Sequence, residues 1–215
     1  MHICTPERYN RSLTTSDIQG LEWAIENGVD VVCMSWAIVQ PHAAAVSNPD
    51  IQDLQQKLKE ASEKMLLFGA ACDEGNNLGE NMHVLPGMHP DVFYIGAADN
   101  SGNLNPHVEK AAQFAFPGGD GSDDYKGSSF ANALAAGLAA LLLHCAEVSG
   151  YHNGPTAQKS RKLMRSYPVM VKIFRNMCES RDSKYLQVWS NLNVEHARRD
   201  TTGSHFESQI KAILK

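Results

Sequence analysis

Two hydrophobic patterns alternate along the first half of the chain. Ile18, Leu21 and Ile25 recur at helical spacing behind Thr14, Thr15 and Ser16, which offer caps, and Gly28 supplies a stop. The run VDVVCMS, Val29 to Ser35, is apolar without alternation, which is the pattern of a strand covered on both faces. The cycle then repeats. Asn48 stands as a cap, Pro49 sits in the first turn, and Ile51, Leu54, Leu58 and Ala61 share one helical face before the strand KMLLFGAA. A third strand, VFYIGAA, follows, and the segment KGSSFANALAAGLAALLLHCAEV predicts a helix apolar on nearly every side and therefore buried.

Helices alternating with continuous apolar strands predict an α/β fold: a mostly parallel sheet between helical layers, αβα. Ligands in such sheets bind beyond the carboxyl ends of the strands. Those ends are Ser35-Trp36-Ala37, Cys72-Asp73-Glu74-Gly75 and Ala97-Ala98-Asp99. After about Ser149 the character changes: SGYHNGPT reads as a linker, and the remainder is more polar and more basic, with helices expected near 157–165 and 169–178. The expected organisation is a first domain over residues 1–150 and a helical C-terminal extension over 151–215.

Composition narrows the function classes. A hydrophobic content of 43% and a charged content of 20% suit a folded domain, and a net charge of -5 gives no overall reason to expect nucleic acid or an acidic membrane as partner. The five cysteines, Cys4, Cys33, Cys72, Cys145 and Cys178, are widely spread with no pair at zinc-site spacing, so neither a disulfide framework nor a metal centre is expected. The N-terminus lacks the pattern of a secretory signal, which makes a reducing, intracellular setting the default. The longest apolar run, Ala133 to Cys145, is too short to span a bilayer. No cofactor motif is present.

Candidate chemistry centres on Ser128 and Ser129. Serine at a helix start is ordinarily a cap, because its oxygen accepts from an N–H without an intrahelical partner. The same place suits a nucleophile, since the helix dipole favours negative charge there. The glycine-rich FPGGDGSDDYKGSS raises a phosphate loop, but Lys126 is followed by Gly127 rather than Ser or Thr, and Asp120, Asp123 and Asp124 would repel phosphate. A nucleotide-binding module would therefore rest on fold rhythm alone. Asp200 to His205, DTTGSH, offers an acid and a histidine within a polar tail. His144 stands near the far end of the serine's own helix, about 22 Å away at 1.5 Å per residue, too far to be its base. Lys159, Arg161, Lys162, Arg165, Lys172 and Arg175 form a basic interval that reads as a solvated helix face.

In order along the chain, these segments resemble the subtilisin-like serine peptidases, the subtilases. LEWAIENGVDVVCMSW resembles the family's helix and the strand that ends at the substrate cleft. GAACDEGN resembles the strand and turn that usually read Ala-Ala-Gly-Asn-Glu-Gly. LPGMHPDVFYIGAADNSGN is similar to the proline-containing loop and next strand, FPGG to Ala-Pro-Gly, and GSSFANALAAGLAALLL to the nucleophile signature. CMSW and ACDEGN resemble divergent subtilase domains common in filamentous fungi. The resemblance spans roughly Leu21 to Val148 and implies a partial subtilisin-like fold.

The resemblance implies serine-type endopeptidase chemistry on a polypeptide substrate, without a cofactor. Ser129 matches the nucleophile, and Asp73 matches an asparagine that helps hold the tetrahedral oxyanion. Ser35, Trp36 and Ala37 match one wall of the primary specificity pocket; Ala70, Ala71 and Cys72 match the other. Ala37 and Cys72 replace cleft-side glycines, which implies a narrower pocket. Three departures stand out. The family's Asp and His motifs lie before the matching region, and no histidine here is followed by Gly-Thr, so an upstream segment is expected to supply them. Asp73 replaces a neutral donor and must be protonated to serve as one. Asn132, Ala133 and Leu134 replace Thr-Pro-His, a change in helix packing. The alternative is a catalytically dead scaffold or interaction module on the same fold.

Overall fold

The computed structural model describes residues 11–74, 78, 81–99, 101–119, 127–148, 164–178, 180 and 182–188. In chain order the elements are α1 (Arg11–Glu26), β1 (Val31–Met34), β2 (Ile38–Pro41), α2 (His42–Ser47), α3 (Pro49–Ser62), β3 (Leu66–Ala70), β4 (Met82–Leu85), β5 (Val92–Ala98), β6 (Phe114–Pro117), α4 (Ser128–Val148) and α5 (Tyr167–Asn176). The expected linker after Ser149, the loop acids Asp120, Asp123 and Asp124 with Lys126, all but the last two residues of the helix expected near 157–165, and the Asp200 to His205 segment lie outside the described residues.

Local chemistry sets the helix ends. The Asn48 side chain accepts from the Asp50 N–H at 3.0 Å, Pro49 occupies the first turn, and Ile51, Leu54, Leu58 and Ala61 are fully buried, so α3 is capped and faced as its sequence predicts. Gly28, at φ 63°, closes α1 in the left-handed region that glycine enters without strain. The start of α1 differs from expectation. It begins at Arg11, which places Thr14, Thr15 and Ser16 inside the helix rather than at its cap.

β1, β3, β5 and β6 form a parallel sheet in that order, with Val32 opposite Leu67, Phe68 opposite Phe93 and Ala97 opposite Phe116. The strands contribute to two layers, with Leu66, Leu67 and Phe68 of β3 alternating between them. Leu66, Phe68, Phe93, Ile95, Phe114 and Phe116 pack with α4 and α5, while Met34, Leu67 and Val92 pack with α1 and α3. This is the three-layer α/β arrangement. β6 and the antiparallel ribbon of β2 with β4 were not foreseen: β6 is only four residues long, and β2 and β4 are short and mixed in polarity.

β1 is less covered than its continuous apolar run predicts: Val31 and Val32 are half-buried and Cys33 is exposed. The reason is its place at the margin of the sheet, where it pairs with β3 alone among the described strands. α4 lies across β1, β3, β5 and β6. By length and composition its Ser128–Glu147 stretch would suffice to cross a bilayer, but half of that stretch is buried inside the protein. α5 packs into the same core, where Phe174 lies 5.4 Å from the Phe93 ring and 5.5 Å from Phe114.

Candidate active site

The carboxyl ends of β1, β3 and β5 converge on the first turn of α4, and the two serines there divide the work. Ser128 is fully buried, and its Oγ accepts from the Ala97 N–H at the end of β5, at 3.1 Å. Ser129 is exposed. Its backbone carbonyl accepts from the Ser35 hydroxyl, just past β1, at 3.4 Å. The turn before them is tight. Gly127 has φ 111°, its N–H donates to the Gly118 carbonyl at 2.6 Å, and a Cβ there would come within 2.5 Å of Asp73 Oδ2. Only glycine satisfies both the torsion and the space.

Asp73 reaches this turn from the end of β3. The Ser128 N–H donates to its Oδ1 at 2.9 Å and its Oδ2 at 3.1 Å. A carboxylate at a helix start answers an orphan N–H and meets the positive end of the dipole, so Asp73 acts as a cap delivered from another element. In this geometry it is an acceptor, whereas the resemblance implied a donor. Helix geometry leaves the Ser129 N–H without an intrahelical carbonyl.

Asn132, one turn further on, is buried, and its Nδ2 lies 3.1 Å from the Met34 carbonyl, 3.4 Å from the Phe68 carbonyl and 3.3 Å from Cys33 Sγ. One amide thus ties α4 to both β1 and β3. Although the Cys33 residue is exposed, partial desolvation of its thiol pushes it above its usual range, with the Ser35 hydroxyl pulling the other way, so it serves as a weak partner.

The two expected pocket walls differ. Ser35, Trp36 and Ala37 are half-buried, with Trp36 packed towards the α1 and α3 layer. Ala70 and Ala71 are 5% exposed and Cys72 is fully buried, so the second wall is continuous with the core. Behind it lies a polar link that sequence reading missed. The Tyr94 hydroxyl donates to Glu109 Oε2, and the Glu109 N–H donates to the Cys72 carbonyl at 3.1 Å. Burial raises the Glu109 carboxyl above the usual range, with the Tyr94 bond pulling the other way. A tyrosine inside the apolar run VFYIGAA was the one available signal, since a buried phenol needs a partner.

The described histidines near β4 serve other contacts. His42 and His83 stack edge-on at 5.7 Å, the Gln55 amide lies 3.3 Å from His83 Nε2, and His89 Nδ1 accepts from the Asp91 N–H at 3.3 Å. His144 is exposed towards the far end of α4. Among the described residues no three His, Cys, Asp or Glu side chains gather as a metal site.

The family model described as the Subtilase family matches residues 5–166. The chain belongs to the subtilases. Subtilisin E of Bacillus subtilis strain 168 is 30% identical over 138 residues, covering 59% of this chain and 34% of the relative. The subtilisin of Bacillus pumilus is also 30% identical over 138 residues, covering 59% of this chain and 46% of the relative. The chain therefore spans less than half the length of these relatives. Among solved structures, the prenylagaramide maturation protease PagA superposes with a TM-score of 0.57 at 19% identity, over 85% of this chain and 67% of that one. The epidermin leader peptide processing protease EpiP of Staphylococcus aureus gives 0.57 at 18% identity, over 86% and 54%. At such identities the structural likeness establishes the fold.

Proposed function

We propose that this subtilase domain is the nucleophile-bearing part of a serine-type endopeptidase, with Ser129 attacking a peptide carbonyl. The observation that carries this reading is the split between the serines: Ser128 is locked into the sheet while Ser129 stands exposed where a helix start favours a developing oxyanion. Attack forms the bond from Ser129 Oγ to the carbonyl carbon, and the hydroxyl proton must pass to a base that later gives it to the leaving amine. The Ser129 N–H would hold the oxyanion; Asp73 could add a second donor only when protonated. The peptide would lie between Ser35-Trp36-Ala37 and Ala70-Ala71-Cys72. The likeness to a maturation protease and a leader peptide processing protease supports a polypeptide substrate.

The base is expected from polypeptide packed along β1, which among the described strands pairs with β3 alone and carries the exposed Cys33. A fluorophosphonate probe tests the reading. Ser129 should label slowly in the chain alone and at least a hundredfold faster when the genomic reading frame before Met1 is included, with Ser129→Ala abolishing both signals. Absence of labelling in the longer protein would overturn the assignment.

A second reading, a subtilase-fold scaffold without catalysis, is favoured by one observation: the Asp73 carboxylate accepts from Ser128 instead of facing an oxyanion as a donor. In that case Asp73→Asn leaves labelling unchanged. An endopeptidase should gain from it about tenfold or more, because removing an oxyanion donor typically costs a hundredfold to a thousandfold.

A further inference from the structure

Two hydrogen bonds link Tyr94 to the residue directly before Asp73: the Tyr94 hydroxyl donates to Glu109 Oε2, and the Glu109 N–H donates to the Cys72 carbonyl at 3.1 Å. Turning the chain at Cys72 would break the second bond, so the direction in which Asp73 leaves the sheet is held from behind. The link joins segments far apart in sequence: the end of β3, β5 and the 101–113 loop. Tyr94 belongs to the strand whose Ala97 N–H holds Ser128, so both anchors of the serine turn are referred to β5.

Glu109 has a half-buried carboxyl raised by burial, a state that costs stability unless a partner offsets it. Tyr94 packs directly against the 86–87 turn as well: a Cβ on Gly87 would overlap its ring. The phenol is therefore held at its base by packing and at its tip by the Glu109 carboxyl.

We infer that Glu109 is a positioning residue: with its side chain anchored by Tyr94 and its N–H on the Cys72 carbonyl, it holds the Asp73 carboxylate on the Ser128 N–H. Peptide cleavage is not needed for this role, so it stands or falls separately from the endopeptidase reading.

Amide hydrogen exchange on the intact chain tests it, with Ser128 as reporter and Leu67 and Phe93 in the sheet as references. Tyr94→Phe and Glu109→Ala should speed Ser128 exchange at least tenfold relative to the references. Glu109→Gln, whose amide oxygen still accepts from the phenol, should stay within threefold of the parent. If Glu109→Ala does not fold, Tyr94→Phe decides. Unchanged Ser128 exchange, a rise shared equally by Leu67 and Phe93, or a Glu109→Gln effect as large as that of Glu109→Ala would each overturn the inference.

Discussion

The two margins of the sheet differ in how they are finished. At β6, the Ala115 N–H donates to the Lys184 carbonyl at 2.8 Å and its carbonyl accepts from the Leu186 N–H at 3.2 Å, so chain beyond α5 closes the edge. Phe114, Phe116 and Phe93 gather around Phe174, and the Arg175 guanidinium stands 4.7 Å over the Phe114 ring. At β1, Cys33 is exposed, and Trp23 on α1 is 62% exposed. Beyond its pairing with β3 and the packing of Met34, this margin is tied among the described residues by polar links: Asn132 to Met34, Ser35 to Ser129, and the Arg165 to Asp30 ion pair. The serine turn is thus built against a strongly packed margin and fastened to a weak one. Stability and site geometry rest on different residues, and substitutions should separate them.

The largest effect is expected at the packed margin. Phe174→Ala removes a fully buried ring shared by four aromatic neighbours and should cost about 3–5 kcal/mol in urea unfolding. A loss below about 1 kcal/mol would mean that the β6 margin is not the stable one. Asn132→Ala comes next, at about 2 kcal/mol, because it strips bonds from two buried carbonyls. Among the described residues its buried Oδ1 has no hydrogen-bond partner, so part of that cost is offset. The sharper signature is local, with amides of β1 exchanging faster than those of β5. A uniform change would remove the idea that one amide holds the open margin.

Asp73→Ala should cost about 1 kcal/mol, the usual worth of a helix cap, and Asp73→Asn less, because an amide oxygen still accepts from the Ser128 N–H. Thermal melts of the two variants side by side check this. An equal loss in both would imply that charge, not acceptance, carries the contact.

The sequence revealed what local chemistry decides. α3 was readable from Asn48, Pro49 and its buried row, and β3 and β5 from continuous apolar runs flanked by turns. β1 was readable as a strand but not as a margin, since coverage depends on which strand lies beside it. β2 and β4 escaped because Ile38–Pro41 and Met82–Leu85 mix polarity and gain order only from each other. At the site, Ser129 and Asp73 were placed by resemblance. The acceptor role of Asp73 was not legible, because its partner is a backbone N–H that only the fold brings near. Glu109 had no local signal at all: it matters through Tyr94 and Cys72, both remote in sequence.

The smallest expected effect lies in the layer behind the open margin. Asp17, on α1, is half-buried, and burial pushes its carboxyl up to about 6. In the unfolded chain the group ionises near its ordinary value of about 3.9. Between those values the folded state holds more protons than the unfolded state, so this residue's contribution falls as pH rises from about 4 to 6. Asp17→Asn should remove that slope and leave the protein slightly more stable at pH 7, by less than about 1 kcal/mol given solvent screening of a half-exposed group. Urea midpoints at pH 4 and pH 7 for parent and variant measure the difference directly. If the variant loses stability at pH 7, the carboxylate has a favourable partner, and the layer over β1 is better finished than its margin.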